Sequence, residues 1–376
     1  MKKCLVIPDS FKGTMSAAEV CGIMEESIRR AFPECEVITA PIADGGEGTV
    51  DCFLKAFNSG ERVSARVTGP FFEEADSFYG VTGDLGIIEM AAAAGLSIAG
   101  ERADPEITTT YGVGELIGAA IRRGCGRIIL GLGGSCTNDG GCGMAAALGA
   151  KFYDGSGCSF IPVGGTLERI VDIDVSETKR ILNGIEISAI CDIDNPLFGK
   201  NGAAYVFAPQ KGAGPEKVKL LDRNLRCLAR AVRQSLNIDV SDMPGGGAAG
   251  GMGAGAYAFM GAKLKKGIDA VLDAVRFEEI AYGCDCIFTG EGKLDAQSLS
   301  GKAVVGIGRR AKTIGAPVAA VVGSFEGSAS EMRGEGISYI FETAVRRSDF
   351  EQIKKHCRED LRKTMEDICG KQFLNY

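Results

Sequence analysis

A chain of 376 residues exceeds the roughly 250 to 300 residues at which single cores stop growing, so two domains are expected. The composition, 45% hydrophobic and 24% charged, is that of an ordinary globular enzyme, and the net charge of -7 disfavours a nucleic-acid partner. No run of about 18 apolar residues is present to span a membrane, and the N-terminal apolar run, Cys4 to Ile7, ends at Pro8, short of the roughly 7 to 15 residues a signal peptide needs.

In chain order, a short strand (Cys4 to Pro8) and the turn DSFKGTMS lead into a helix from Ala17 to Ala31. Ser16 is its N-cap and Glu19 the N3 member of a capping box. A strand from Glu36 to Ala40 enters PIADGG, and a helix follows from Gly48 to Phe57. Between Arg62 and Met90, short alternating segments predict antiparallel strands. Helical periodicity returns at Tyr111 to Arg123, before a strand at Arg127 to Leu130, and a mixed region runs from Lys151 to Phe207. Val218, Leu221, Leu225, Leu228, Val232 and Leu236 recur at spacings of three and four, the mark of an amphipathic helix. The last third alternates again: strand CDCIFTGEG, helix GKAVVGIGRRAK, strands PVAAVVGS and GISYIFETA.

The fold class expected is α/β: a Rossmann-like doubly wound domain with a second, mixed α+β domain inserted. The expected division is 1–65, 105–150 and 275–376 for the first, and 66–104 and 151–274 for the second.

The 14 cysteines include no C-x-x-C pair and the only histidine is His356, in a charged segment that reads as a solvated helix face. Zinc chemistry and Ser-His-Asp hydrolysis are therefore disfavoured, and a general base is expected to be a carboxylate or a lysine. The cysteines read as reduced thiols of a cytoplasmic protein.

Six constellations lie at strand ends. GLGGSCTNDGGCGMAAALG (Gly131 to Gly149) is a glycine-rich turn entering a helix, suited to phosphate through Gly133, Gly134, Ser135, Thr137 and Asn138, or else to close helix–strand packing. MPGGGAAGGMGAGA (Met243 to Ala256), with Gly246, Gly247 and Gly250, reads equally as a ligand loop or a tight helix crossing. DSFKG brings Ser10 and Lys12 to the end of the first strand, where open α/β sheets bind ligands. ADGGEGT supplies Asp44 and Glu47, and CDIDNPLFG supplies Asp192 and Asp194, which point to one side if the segment is a strand. TGEGKLDAQS supplies Glu291, Lys293 and Asp295. Acids, lysines and glycine loops at several strand ends suit metal-assisted phosphoryl transfer.

The blocks PDSFKGTMSA, PIADGGEGTVD, GLGGSCTNDGGCGMAAALGA, CDIDNPLFGKNGAA, VFAPQKGA, PGGGAAGGMGAG and FTGEGKLDAQSLSGKAVVGI, in this order over nearly the whole chain, resemble the glycerate kinases of the bacterial glycerate 2-kinase class. Cys136 and Cys142 stand where the family often has alanine, a small-for-small change. The resemblance implies two domains with the active site between them and ATP-dependent phosphorylation of D-glycerate, with the 2-hydroxyl as expected acceptor and Mg²⁺ as cofactor. Asp44 and Asp192 are the candidates for the base, with Mg²⁺ beside Asp44, Asp192 or Asp194, and Lys12 orients the glycerate carboxylate or the phosphates. The loops 133–138 and 245–251 cradle phosphates, with Ser10 and Glu291 also at the site. The expected partners are D-glycerate and ATP, without nucleic acid or membrane; a homo-oligomer is compatible. Two other readings stand beside this one: a kinase for another small hydroxy acid or sugar, and a non-catalytic, ligand-responsive regulator.

Overall fold

The computed structural model describes residues 1–11, 13–42, 48–57, 59–295, 303–343 and 350–370. They form an α/β structure with parallel and mixed sheets, divided into two compact units: residues 1–43, 55–58 and 268–376, and residues 44–54 and 59–267.

The first unit is built on a five-stranded, all-parallel sheet. Its order is Tyr339–Glu342, Val318–Val322, Cys286–Thr289, Lys3–Val6, Glu36–Thr39. Inner strands of such a sheet are covered on both faces, which is why Cys286–Thr289 and Val318–Val322 are buried without alternation. The helices Ala17–Ala31 and Phe350–Gly370 cover one face, with Val20, Met24, Ile28, Leu361 and Met365 packed on Val6, Phe288 and Val321. The first helix starts as expected: Ser16 Oγ accepts from the Glu19 N–H (3.3 Å) and the Glu19 carboxylate accepts from the Ser16 N–H (2.9 Å). His356 sits on the second helix, partly exposed, 3.8 Å from Glu359.

The second unit has a six-stranded mixed sheet in the order Lys263–Lys265, Glu186–Ile190, Arg127–Gly131, Leu85–Glu89, Glu74–Thr82, Glu61–Thr68. The first four strands are parallel, and the last two add on as antiparallel hairpins. One core joins this sheet to the helices Tyr111–Arg122, Cys142–Ala147, Pro215–Leu236 and Ala248–Met260. Pro215–Leu236 buries Val218, Leu221, Leu225, Leu228 and Val232. Each such burial stabilises by about 1.5–3 kcal/mol, which holds in place a helix otherwise rich in charge.

The units divide differently from the expectation. Residues 105–150, expected in the first, pack in the second, because Arg127–Gly131 hydrogen-bonds to Leu85–Glu89 on one edge and Glu186–Ile190 on the other. Residues 61–65, expected in the first, likewise belong to the second unit, in its edge strand Glu61–Thr68. The pairings of Arg127–Gly131 join strands far apart in the chain and so carry no local signal.

Candidate active site

Arg127–Gly131 and Glu186–Ile190 are paired parallel strands whose carboxyl ends open side by side, with Gly131 opposite Ile190. The chain leaves them as Leu132–Ser135 and Cys191–Ile193, and between these segments lies a pocket of about 290 Å³, near the lower bound for small-molecule sites. Leu96, Leu132, Ile190, Ile193 and Phe207 form apolar walls; Gly133, Gly134, Ser135, Asp192, Gln210 and Lys211 bring polar groups. All belong to the second unit.

Lys211 is the least expected of these. It ends the single turn Pro209–Lys211 and is only 2% exposed. Gly212 (φ +92°) sustains the turn, since a Cβ there would lie 2.3 Å from the Ala103 carbonyl oxygen. Lys211 Nζ donates to Ser135 Oγ (2.7 Å) and to the Thr137 carbonyl (2.8 Å). Burial pushes its pKa down to about 8, against the opposing influence of Cys136 and Asp139.

Asp192 is exposed in the pocket wall, and its Oδ1 accepts from the Gly267 N–H at 2.7 Å. Asp194 is also exposed but does not line the pocket: after Ile190 the chain is irregular, so the strand alternation expected to align the two acids is lost.

Gly133, Gly134 and Ser135 line the pocket, and the helix Cys142–Ala147 follows them in the chain. Asp139 takes its N-terminus from within. Asp139 Oδ1 accepts from Gly141 N–H (3.1 Å); Oδ2 accepts from Gly143 N–H (3.2 Å) and from the Thr110 N–H and hydroxyl (both 2.8 Å). Burial raises the Asp139 pKa and these donors oppose it. Thr137 and Asn138 are buried outside the pocket lining; among the described residues Thr137 Oγ1 and both amide atoms of Asn138 have no hydrogen-bond partner.

The second glycine block resolves toward packing. Gly250 (φ +70°) sits where a Cβ would be 2.0 Å from the Thr137 carbonyl oxygen, so only glycine lets the two loops meet. Gly246, Gly247 and Gly250 are absent from the pocket lining, whereas Ala248 and Ala249 form part of it, Ala249 in the left-handed region (φ +53°).

In the first unit, Ser10 and Glu291 follow the adjacent strands Lys3–Val6 and Cys286–Thr289, linked by the Asp9 N–H donating to the Gly290 carbonyl (2.9 Å). Glu291 is buried. Lys293 pairs with Glu326 at 2.8 Å. Lys12, Asp44 and Glu47 lie outside the described residues.

Sequence reasoning missed the buried Lys211 and Glu89. Lys211 lies in VFAPQKGA, where a lysine among small and apolar residues is its one local signal. Glu89 ends the otherwise apolar strand LGIIE and accepts from the N–H groups of Val50 (2.6 Å) and Gly48 (3.3 Å), capping the helix that follows ADGGEG. Burial pushes its pKa up.

The glycerate kinase family model matches residues 4–372. The chain belongs to the glycerate kinase family. It is 45% identical to a glycerate kinase of Bacillus cereus over 98% of this chain and 97% of that one. It is 44% identical to the glycerate 2-kinase of Escherichia coli over 90% of each. A solved structure of a candidate glycerate kinase 2 from Salmonella typhimurium LT2 superposes with a TM-score of 0.85 at 40% identity, covering 98% of both chains. The fold of the family is thus shared along the whole chain. Among the described residues, no helix is long and apolar enough to cross a membrane.

Proposed function

We propose that this glycerate kinase family member transfers the γ-phosphoryl group of ATP to the 2-hydroxyl of D-glycerate, giving 2-phosphoglycerate and ADP. The observation that carries the reading is the pocket of the second unit, which sets a carboxylate (Asp192) and a buried ammonium (Lys211) at the carboxyl ends of parallel strands. Phosphoryl transfer needs positioning and charge stabilisation more than covalent chemistry. In our reading Asp192 accepts the proton as the substrate hydroxyl oxygen forms its bond to phosphorus and ADP departs. Gly133, Gly134 and Ser135 shape the phosphate-facing wall.

The described residues do not fit a protein-built Mg²⁺ cage. Asp192 lines the pocket without Asp194 beside it in the lining, and no group of three or more His, Cys, Asp or Glu gathers among them. Mg²⁺ would enter with the nucleotide as substrate, its phosphates supplying most of the oxygen ligands. We read the first unit as a Rossmann-like domain and the second as inserted into it, and we place the enzyme in the cytoplasm, where its 14 free thiols stay reduced.

The test is turnover of D-glycerate with ATP and Mg²⁺, with the product identified by NMR as 2- or 3-phosphoglycerate. A panel of other hydroxy acids and sugars separates this reading from another kinase specificity, and absence of any ATP turnover would favour a regulator. Asp192→Asn is expected to lower kcat by about 100-fold or more at unchanged Tm. Near-normal turnover of that variant removes Asp192 as the base.

A further inference from the structure

The second unit holds a buried positive charge, Lys211, that has no counter-ion among the described residues. Both acceptors of Lys211 Nζ, Ser135 Oγ and the Thr137 carbonyl, are neutral. Among the described residues no carboxylate forms an ion pair with it. The carboxylate that influences it, Asp139, is engaged by Thr110, Gly141 and Gly143. The neighbouring thiol of Cys136 is pushed up to about 11 by burial, so it is neutral at pH 7. An ammonium has three N–H donors, and two are used. Ser135 Oγ accepts from Lys211, which leaves its own O–H proton available as a donor. Both residues line the pocket.

A buried unpaired charge is strongly disfavoured unless something pairs with it. Here Lys211 lines a cavity large enough for a small organic acid or one end of a nucleotide. We propose that Lys211 and Ser135 form the oxyanion subsite of this pocket: a substrate oxyanion, either the carboxylate of the hydroxy acid or a phosphate of the nucleotide, binds as the counter-ion of Lys211 Nζ and accepts a hydrogen bond from the Ser135 hydroxyl. The naming of the two oxyanions rests on the kinase reading; the subsite itself rests on burial and hydrogen bonding. Lysine suits this role because its ammonium is a compact point charge that binds either kind of oxyanion.

The experiment is calorimetric titration of the full-length protein with D-glycerate, ATP, inorganic phosphate and glycerol, repeated on Lys211→Met. Removing a desolvated charge partner is expected to weaken at least one oxyanion by about thirtyfold or more. Neutral glycerol, where its binding is measurable, stays within about threefold because it engages no charge. Loss confined to D-glycerate assigns the subsite to the carboxylate; loss confined to ATP and inorganic phosphate assigns it to a phosphate. Steady-state KM values for each substrate on Lys211→Gln, which keeps polar contact with Ser135, repeat the reading should the methionine variant fold poorly. Every oxyanion binding within threefold of wild type on a folded variant overturns the proposal. Wild-type protein that binds oxyanions through Lys211 but leaves D-glycerate unphosphorylated overturns the kinase reading and not the subsite.

Discussion

Lys211→Met tests the strain of the buried ammonium independently of any ligand. The folded-state pKa of about 8 lies below the ordinary value of 10.5. Below pH 8 both folded and unfolded chains hold the proton, so the folded protein carries the full burden of a buried charge. As pH rises from 8 toward 10.5, the folded state releases its proton while the unfolded state keeps it, and stability rises. The separation of the two values corresponds to on the order of 3 kcal/mol. At pH 7 the variant sheds that burden, but it leaves the Thr137 carbonyl without its donor, which costs about 1–3 kcal/mol. The two effects roughly offset, so the variant is expected near wild-type stability at neutral pH. The pH trend is the sharper reading. The difference in unfolding free energy, wild type minus variant, should grow by about 2–3 kcal/mol between pH 7 and pH 10, because only the wild type has this group to deprotonate. Groups shared by both proteins cancel in the difference. Denaturant unfolding of the ligand-free proteins at four pH values measures it. A difference that stays flat or shrinks over this range refutes the idea that Lys211 is a strained cation.

Two further expectations concern the scaffold. Gly250→Ala forces a Cβ against the Thr137 carbonyl oxygen in a left-handed conformation and should destabilise by about 2–5 kcal/mol, read as a Tm lower by about 5–15 °C; a variant within about 1 °C of wild type would show that the two loops part easily. Ser16→Ala removes one half of the capping box on the Ala17–Ala31 helix and should lower stability by about 1 kcal/mol in denaturant unfolding with turnover unchanged, whereas no loss would mean the cap contributes nothing.

Much of the local structure was legible in the chain. The capping box at Ser16, the amphipathic stripe from Val218 to Val232 and the strands ending near Pro8, Gly131 and Thr289 all depend on residues a few positions apart, and each formed where periodicity and cap chemistry put it. The glycine blocks were legible as special but not as to purpose. Whether Gly250 faces a ligand or another backbone depends on Thr137, more than a hundred residues earlier. The same limit applies to Asp139, which holds the helix start from inside through contacts that include Thr110, well separated from it in the chain.

By itself the sequence determined the α/β class, the local elements, the family resemblance and the presence of Asp192 at a strand end. Only the tertiary structure decided that residues 105–150 join the second unit, that Gly250 meets the Thr137 carbonyl, and that Lys211 and Glu89 are buried. The physical reason is common to all three. Periodicity and capping act over one or two turns of chain, whereas strand pairing and desolvation arise from neighbours brought together over tens to hundreds of residues. A lysine in a tripeptide PQK looks solvated until Ser135 and Thr137 close over it.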